Sequence, residues 1–112
     1  MIGTTSETLI CALADIPDDE GLRVDLNGFP PLAVWRVGEQ AYVTDDTCTH
    51  GQASLSADGM QDEFVIECGL HQGEFDIRDG SVRSPPCSKP LRVYATRVVD
   101  DQVYAVLPEE QG

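Results

Sequence analysis

The sequence predicts an all-β fold, an antiparallel β sandwich formed by a single domain. Short apolar or alternating segments rich in Val, Ile, Leu and Tyr recur along the chain, as is typical of half-buried strands. Turn-forming pairs separate several of them: Asn27-Gly28, Asp79-Gly80 and Asp100-Asp101. We find no long amphipathic helical pattern, internal repeat or linker. A length of 112 residues suffices for one core, so residues 1–112 are predicted to form one domain.

The first half of the chain supplies four predicted strands: residues 9–13, 22–26, 32–37 and 41–44. The first is a short apolar run, and the second alternates apolar and polar side chains. The third and fourth flank Gly38-Glu39-Gln40, which predicts a hairpin. Trp35 lies on this hairpin, and we expect it to be a packing residue rather than an electron relay.

The second half supplies four more predicted strands: residues 63–67, 74–78, 92–99 and 102–107. Asp79-Gly80 and Asp100-Asp101 predict the turns that follow the second and third of these. Residues 51–59 are predicted to form a loop. The segment 84–90 contains three prolines, which excludes a regular strand or helix there.

The charge balance excludes several classes of partner. Twenty acidic residues face seven basic ones, giving a formal net charge of −13, so nucleic acid and anionic membranes would be repelled. Most of the acids are expected to form a solvated surface. Some are expected to steer the protein towards a basic partner, and Asp45 and Asp46 are the best candidates for that role.

The first twenty residues contain acids and Pro17, which argues against a signal peptide and a membrane anchor. The sequence therefore predicts a soluble, cytoplasmic protein.

Two short boxes carry the chemistry of this sequence. Cys48-Thr49-His50 and Cys68-Gly69-Leu70-His71 each offer one thiolate and one imidazole, and seventeen residues separate them. Two Cys and two His in matched boxes suit one [2Fe–2S] cluster of mixed ligation, with the Cys pair on one iron and the His pair on the other. The predicted metal ligands are Cys48, His50, Cys68 and His71.

A structural zinc site is the alternative, because it also uses two Cys and two His. Such sites usually place both Cys in one box and both His in the other, and their boxes usually lie closer together. Metal content separates the two hypotheses.

Cys11 and Cys87 remain outside the boxes. Cys11 lies in an apolar run and is expected to be a buried thiol that packs as a small hydrophobic residue. Cys87 lies in the proline-rich loop and has no partner box that would make it a ligand. A disulfide between the two is not expected in a reducing cytosol.

The boxes and their flanks resemble the Rieske family, and more narrowly the ferredoxin components of bacterial aromatic-ring-hydroxylating dioxygenases of the biphenyl, naphthalene and carbazole types. The resemblance covers nearly the whole chain and is carried by the runs PLAVWRVG (31–38), TDDTCTHG (44–51), ASLS (53–56), VIECGLHQGEFD (65–76) and PCSKPL (86–91).

This resemblance implies a Rieske fold with a small, loop-built cluster-binding subdomain at about residues 46–88, and a third loop, with Pro85-Pro86, covering the cluster. It also implies a monomeric one-electron carrier without catalytic residues of its own. Such a carrier would take electrons from a flavin-dependent NAD(P)H reductase and pass them to the Rieske centre of a terminal oxygenase. A Rieske-like small subunit of a larger reductase, such as nitrite reductase, remains the alternative.

Several positions depart from related proteins. These ferredoxins usually carry Pro where this chain has Gly69, and we expect the glycine to loosen the second loop slightly. Respiratory Rieske proteins carry a pair of disulfide-forming cysteines where this chain has Ala53 and Leu70. They carry Ser and Tyr hydroxyls at Gly73 and Phe75. Because each missing hydroxyl removes a donor that would stabilise the reduced cluster, a potential near about −150 mV is predicted.

Overall fold

The computed structural model describes residues 5–17, 20–26, 28–49, 53–69, 73–84 and 89–108. The first half contains β1 (Thr5–Ala12), a 3₁₀ turn (Leu13–Asp15), β2 (Leu22–Val24), β3 (Leu32–Val37), β4 (Gln40–Asp45) and a short helix, α1 (Leu55–Asp58). The second half contains β5 (Met60–Asp62), β6 (Val65–Glu67), β7 (Glu74–Asp76), β8 (Val82–Ser84), β9 (Val93–Tyr94), β10 (Thr96–Val99) and β11 (Gln102–Pro108).

These strands form three antiparallel sheets with the orders β1-β11-β10, β2-β3-β4-β9 and β5-β6-β7-β8. The first two sheets contribute side chains to one shared core, and together they are called the base. The third sheet is formed by residues 60–84, in the middle of the chain. The predicted all-β, antiparallel architecture is confirmed, and the part that was predicted to bind a cluster through loops contains a sheet of its own. None of the helices in the described part of the chain is long and apolar enough to cross a bilayer.

Strand β3 separates two cores. Successive side chains of a strand point to opposite faces, so Leu32 and Val34 enter the core of the base while Ala33 and Trp35 enter a second core beneath the third sheet. All four are fully buried, which explains the uninterrupted apolar run in the sequence. Trp35 is a packing residue, as expected, and its indole N–H donates to Thr44 Oγ1 at 3.0 Å.

Two predicted strands differ from those observed because tertiary pairing overrides local pattern. The segment 92–99 is divided at Ala95: β9 pairs with β4 of the second sheet, whereas β10 pairs with β11 of the first. The first strand begins at Thr5 rather than at residue 9, because it pairs with β11 along its whole length. Leu13 lies in the 3₁₀ turn instead.

The segment 63–67 was predicted as one strand, and its start is wrong. Glu63 and Phe64 form the turn of a hairpin in which Asp62 pairs with Val65. Glu63 has a φ of 54°, an unusual conformation for a residue with a side chain. The Gln61 side-chain amide donates to the Glu63 carbonyl at 2.9 Å and helps to hold this turn.

Helix α1 and the strands β5 and β8 were not predicted. Helix α1 lies within the predicted loop 51–59, β5 follows it, and β8 ends at Ser84, the first residue of the segment for which a strand was excluded. The turns at Gly38, Gly80 and Asp100-Asp101 are confirmed, and all four residues have positive φ. At Gly80 an added Cβ would lie 1.9 Å from the carbonyl oxygen of Leu91, so only glycine fits this turn.

Candidate metal centre

The first box begins where β4 ends. Thr47 forms an isolated bridge with Ser54, and the Cys48 N–H donates to the Ala53 carbonyl at 2.9 Å. These contacts bring the two ends of the loop 48–53 together. The Cys48 side chain lies inside the protein, with 2% of its surface exposed.

The second box connects β6 to β7 in the same manner. The Cys68 N–H donates to the Gly73 carbonyl at 2.7 Å and closes the loop 68–73. Cys68 is fully buried. Each loop therefore starts with a cysteine and is closed by that residue's own backbone N–H.

Both cysteines belong to one buried cluster of side chains. Its members come from β3, α1, the third sheet and the two loops: Ala33, Trp35, Cys48, Ala53, Leu55, Ile66, Cys68, Phe75, Ile77 and Leu91. The fold thus places two cysteines that lie twenty positions apart in the sequence in one buried cluster, from which water is largely excluded.

The second loop lies directly against α1 at Gly69. A Cβ added at this residue would lie 1.9 Å from the carbonyl oxygen of Asp58, at the end of α1. Glycine is therefore needed for packing: because it has no Cβ, the second loop can approach the helix that follows the first loop. The slight loosening expected from this glycine stays a prediction.

The predicted nitrogen ligands, His50 and His71, lie outside the described residues, as do Leu70, Cys87 and the Pro85-Pro86 pair. Within the described ranges, no group of three or more His, Cys, Asp or Glu side chains is arranged to hold a metal ion. The four-residue ligand set therefore stays a prediction.

Asp46 does not have the exposed position predicted for a docking residue. It is 1% exposed. Its Oδ2 accepts a 2.6 Å hydrogen bond from Ser54 Oγ, and its Oδ1 accepts one of 2.8 Å from the Ser56 N–H. Asp46 is thus a buried residue that supports the first loop through hydrogen bonds. No clear pattern in the sequence indicated that role.

Asp45 is half-buried and is also engaged internally. Its Oδ1 accepts a 2.6 Å hydrogen bond from the Tyr94 hydroxyl. Burial and this hydrogen bond raise the pKa of Tyr94 above its ordinary value, so the phenol stays protonated as a donor. The exposed acids nearest the cluster loops in sequence are instead Asp58, Asp62 and Glu63.

Ser54 is a supporting residue that sequence reasoning missed, although a helix-start signal could have revealed it. It caps α1 by accepting a hydrogen bond from the Ala57 N–H, and a Ser before a short helix-compatible segment is a recognised start signal. The segment was predicted as loop because four residues are too few for a periodic pattern.

Asp76 and two arginines support the third sheet from its other side. The carboxylate accepts hydrogen bonds from Arg78 at 3.0 and 2.7 Å and lies 3.4 Å from Arg83. The hydrogen bond from Arg78 holds the pKa of Asp76 below its ordinary value. The Arg78 guanidinium also stacks over the Phe64 ring at 4.3 Å.

Cys11 is half-buried rather than buried as expected, and it forms no disulfide with a described residue. Burial raises the pKa of its thiol to about 11, with a further contribution from Asp15. It is therefore protonated at neutral pH and is a poor nucleophile or metal ligand.

The described part of the site fits the sulfur half of a Rieske centre. Two buried cysteines start two loops and share one buried cluster of side chains. Phe75 is fully buried in the same core and brings no hydroxyl, and Ala53 brings no sulfur.

Comparison with known proteins agrees with this geometry. The family model of the Rieske [2Fe-2S] domain matches residues 6–95. The ferredoxin CarAc of Metapseudomonas resinovorans is 47% identical over 95 residues, covering 85% of this chain and 88% of the relative.

Two solved structures are similar throughout. A ferredoxin of Sphingomonas yanoikuyae B1 superimposes with a TM-score of 0.82 at 36% identity, covering 93% of this chain and 99% of the other. A chain from the complex of reduced oxygenase and oxidised ferredoxin in carbazole 1,9a-dioxygenase gives a TM-score of 0.82 at 44% identity, covering 95% and 96%. The present chain belongs to the Rieske [2Fe-2S] domain family.

Proposed function

We propose that this chain is a one-electron carrier between a flavin-dependent NAD(P)H reductase and the Rieske centre of a terminal ring-hydroxylating oxygenase. The observation that carries the proposal is the pair of cysteines that start two loops and are buried in one core, in a chain whose relatives are ferredoxin components of dioxygenase systems. The chain is proposed to carry electrons and not to catalyse a reaction itself.

Four residues are proposed to hold one [2Fe–2S] cluster: Cys48 and Cys68 on one iron, His50 and His71 on the other. When bound, the cluster accepts and releases a single electron, with neutral imidazoles making it easier to reduce than an all-Cys cluster. Residues 46–88 are proposed to form the cluster-binding subdomain. The sheet β5-β6-β7-β8, formed entirely by residues within this range, supports this boundary.

The protein itself keeps the sulfur atoms of Cys48 and Cys68 away from water and in fixed positions. Closure of both loops by the cysteine N–H groups and the contact between Gly69 and Asp58 restrict movement of the ligands. A rigid site changes little when an electron arrives or leaves, so transfer in both directions stays fast.

Surface charge supports docking to a basic partner. The arginines Arg78 and Arg83 pair with Asp76, and Arg97 pairs with Glu7, so part of the small basic complement is already neutralised internally. Asp58 lies exposed beside Gly69 of the second loop, and Asp62 and Glu63 are also exposed. A negative surface of this kind speeds the encounter with a basic face of the partner. The complex then dissociates readily because salt screens the attraction.

An EPR spectrum of the dithionite-reduced protein, with iron and zinc counted on the same sample, tests the proposal. We expect a rhombic reduced-state signal with an average g below that of an all-Cys cluster, and about two irons per chain. A silent spectrum with one zinc would establish the structural zinc alternative instead. Cys48→Ser and His71→Ala are expected to lose the signal, whereas Cys11→Ser, at a half-buried thiol outside the boxes, is expected to keep it.

A second experiment addresses the partners. A carrier of this kind sediments as a monomer and transfers electrons from a ferredoxin reductase to cytochrome c. A small subunit of a nitrite reductase would copurify with its large subunit and would not act as a free carrier. The cytoplasmic location remains a prediction of the sequence.

A further inference from the structure

The buried carboxylate of Asp46 has no part in the function proposed so far. Its side chain is 2% exposed, and an ionised carboxylate in such a place is costly unless it is paired and hydrogen-bonded. The buried charge of Asp46 therefore requires an explanation.

The partners of Asp46 all hold the base of the first loop. The side chain accepts hydrogen bonds from Ser54 Oγ and the Ser56 N–H at the start of α1. Its backbone carbonyl accepts from the Leu55 N–H at 2.7 Å, and its own N–H donates to the Pro31 carbonyl at 2.9 Å. One residue thus joins the end of β4, the start of α1 and the segment before β3.

The charge of Asp46 is only partly compensated. Arg23 Nη1 lies 3.9 Å from Asp46 Oδ2, but this side chain is 49% exposed and also contacts Asp25 at 3.2 Å. Water and salt therefore screen much of the guanidinium charge, whereas they reach the buried carboxylate poorly.

Asp46 is two residues from Cys48, and its hydrogen-bonded partner Ser54 adjoins Ala53, which closes the loop of that cysteine. Leu55, Ala53 and Cys48 are all buried, so the medium between the carboxylate and the cysteine is protein rather than water. A negative charge acts strongly through such a medium and opposes the arrival of an electron.

We propose that Asp46 is a positioning residue with two effects: its hydrogen bonds brace the loop of Cys48, and its buried negative charge lowers the reduction potential of the centre. The proposal rests on the function proposed above. Because reduction adds one electron and breaks no bond, the charge of Asp46 acts on the reduction potential through electrostatics alone.

Redox titration of Asp46→Asn tests the charge. The amide has the shape of the carboxylate without its charge, so we expect the equilibrium constant for one-electron reduction to rise about tenfold, a shift of about 59 mV to higher potential. Arg23→Gln removes the compensating charge and is expected to shift the potential in the opposite direction, by a smaller factor of about two to three because Arg23 is half exposed.

Two control variants separate the charge from the bracing. Asp25→Asn removes an exposed carboxylate that shares Arg23, and the reduction constant is expected to stay within about twofold of the wild-type value. Ser54→Ala removes a hydrogen bond but no charge. It is expected to leave the potential within the same limit while chelators remove iron several-fold faster.

An Asp46→Asn protein with a full cluster and an unchanged potential would overturn the electrostatic proposal. If that variant fails to assemble a cluster, Arg23→Gln decides the matter, because an unchanged or raised potential there contradicts the proposed sign. Ser54→Ala with wild-type iron release would overturn the bracing effect. A wild-type protein without the reduced-state EPR signal would instead refute the proposed function.

Discussion

Gly69 gives the sharpest structural prediction. In Gly69→Ala the new Cβ would lie 1.9 Å from the Asp58 carbonyl oxygen, and real Cβ atoms essentially never approach closer than 3.0 Å. The gap to be opened is therefore at least 3.0 − 1.9 = 1.1 Å. The obstacle is backbone and cannot rotate away: the Asp58 N–H donates to the Ser54 carbonyl, and the Gly59 N–H donates to Leu55.

Relief requires either that α1 unwinds or that the second loop moves with Cys68. Overpacking of this kind costs about 2 kcal/mol, which lowers the melting temperature of a domain of this size by about 10 °C. Because the movement reaches a proposed ligand, we also expect fewer irons per chain and faster iron loss to a chelator. Thermal unfolding and metal analysis of the same preparation measure both effects.

Gly38→Ala is the matched control. Gly38 has a φ of 62°, and no atom lies within 4 Å of an added Cβ, so the variant meets backbone strain without a collision. We expect a cost of about 1 kcal/mol and a full complement of iron. Wild-type melting temperature and iron content in Gly69→Ala would refute the reasoning about the contact between the second loop and α1.

Three further predictions concern the potential and the pH dependence of stability. Phe75→Tyr places a hydroxyl in the core shared by the two cysteines; one new hydrogen bond of about 1 kcal/mol to the reduced centre would raise the potential by about 43 mV, and a redox titration without any shift would show that the hydroxyl does not reach it. His71→Cys replaces a neutral ligand with an anionic one and is expected either to lose the cluster or to lower its potential, so an unchanged potential would argue that His71 is not a ligand. Because Arg78 lowers the folded-state pKa of Asp76, the stability from this carboxylate is present above its unfolded-state pKa of about 3.9 and is lost as the pH falls through the lower folded-state value. Urea midpoints measured from pH 6 down to pH 2 should therefore fall less steeply in Asp76→Asn than in the wild type, and parallel curves would contradict this assignment.

The elements that could be predicted are those whose local pattern and tertiary role agree. The hairpin of Leu32–Val37 and Gln40–Asp45 has a strong apolar pattern and a glycine that suits a left-handed turn, and it forms almost as predicted. The turn at Asp100-Asp101 is confirmed for the same reason: short polar side chains tolerate positive φ between two β-branched segments.

The elements that could not be predicted depend on partners distant in sequence. Ala95 divides one continuous β-like segment because its two halves pair with different sheets, which local propensity does not encode. Met60–Asp62 is polar enough to resemble a loop, and it becomes a strand by pairing with Val65–Glu67.

The sequence by itself determined the chemistry of the site. The types, order and spacing of ligands in the boxes at Cys48 and Cys68 specify which metal centre suits them, because ligand preference is a property of side chains. The positions of His50 and His71 as ligands remain predictions, since both lie outside the described residues.

Only the tertiary structure decided what surrounds that chemistry. Adjacent acids in the sequence, Asp45 and Asp46, gave identical reasons to expect surface charge, yet one is half-buried against Tyr94 and the other is almost fully enclosed. Burial depends on which segments cover a residue, and Ser54, Ser56 and Arg23 reach Asp46 from other parts of the chain. Composition sets how much charge the protein carries, whereas packing sets where that charge acts.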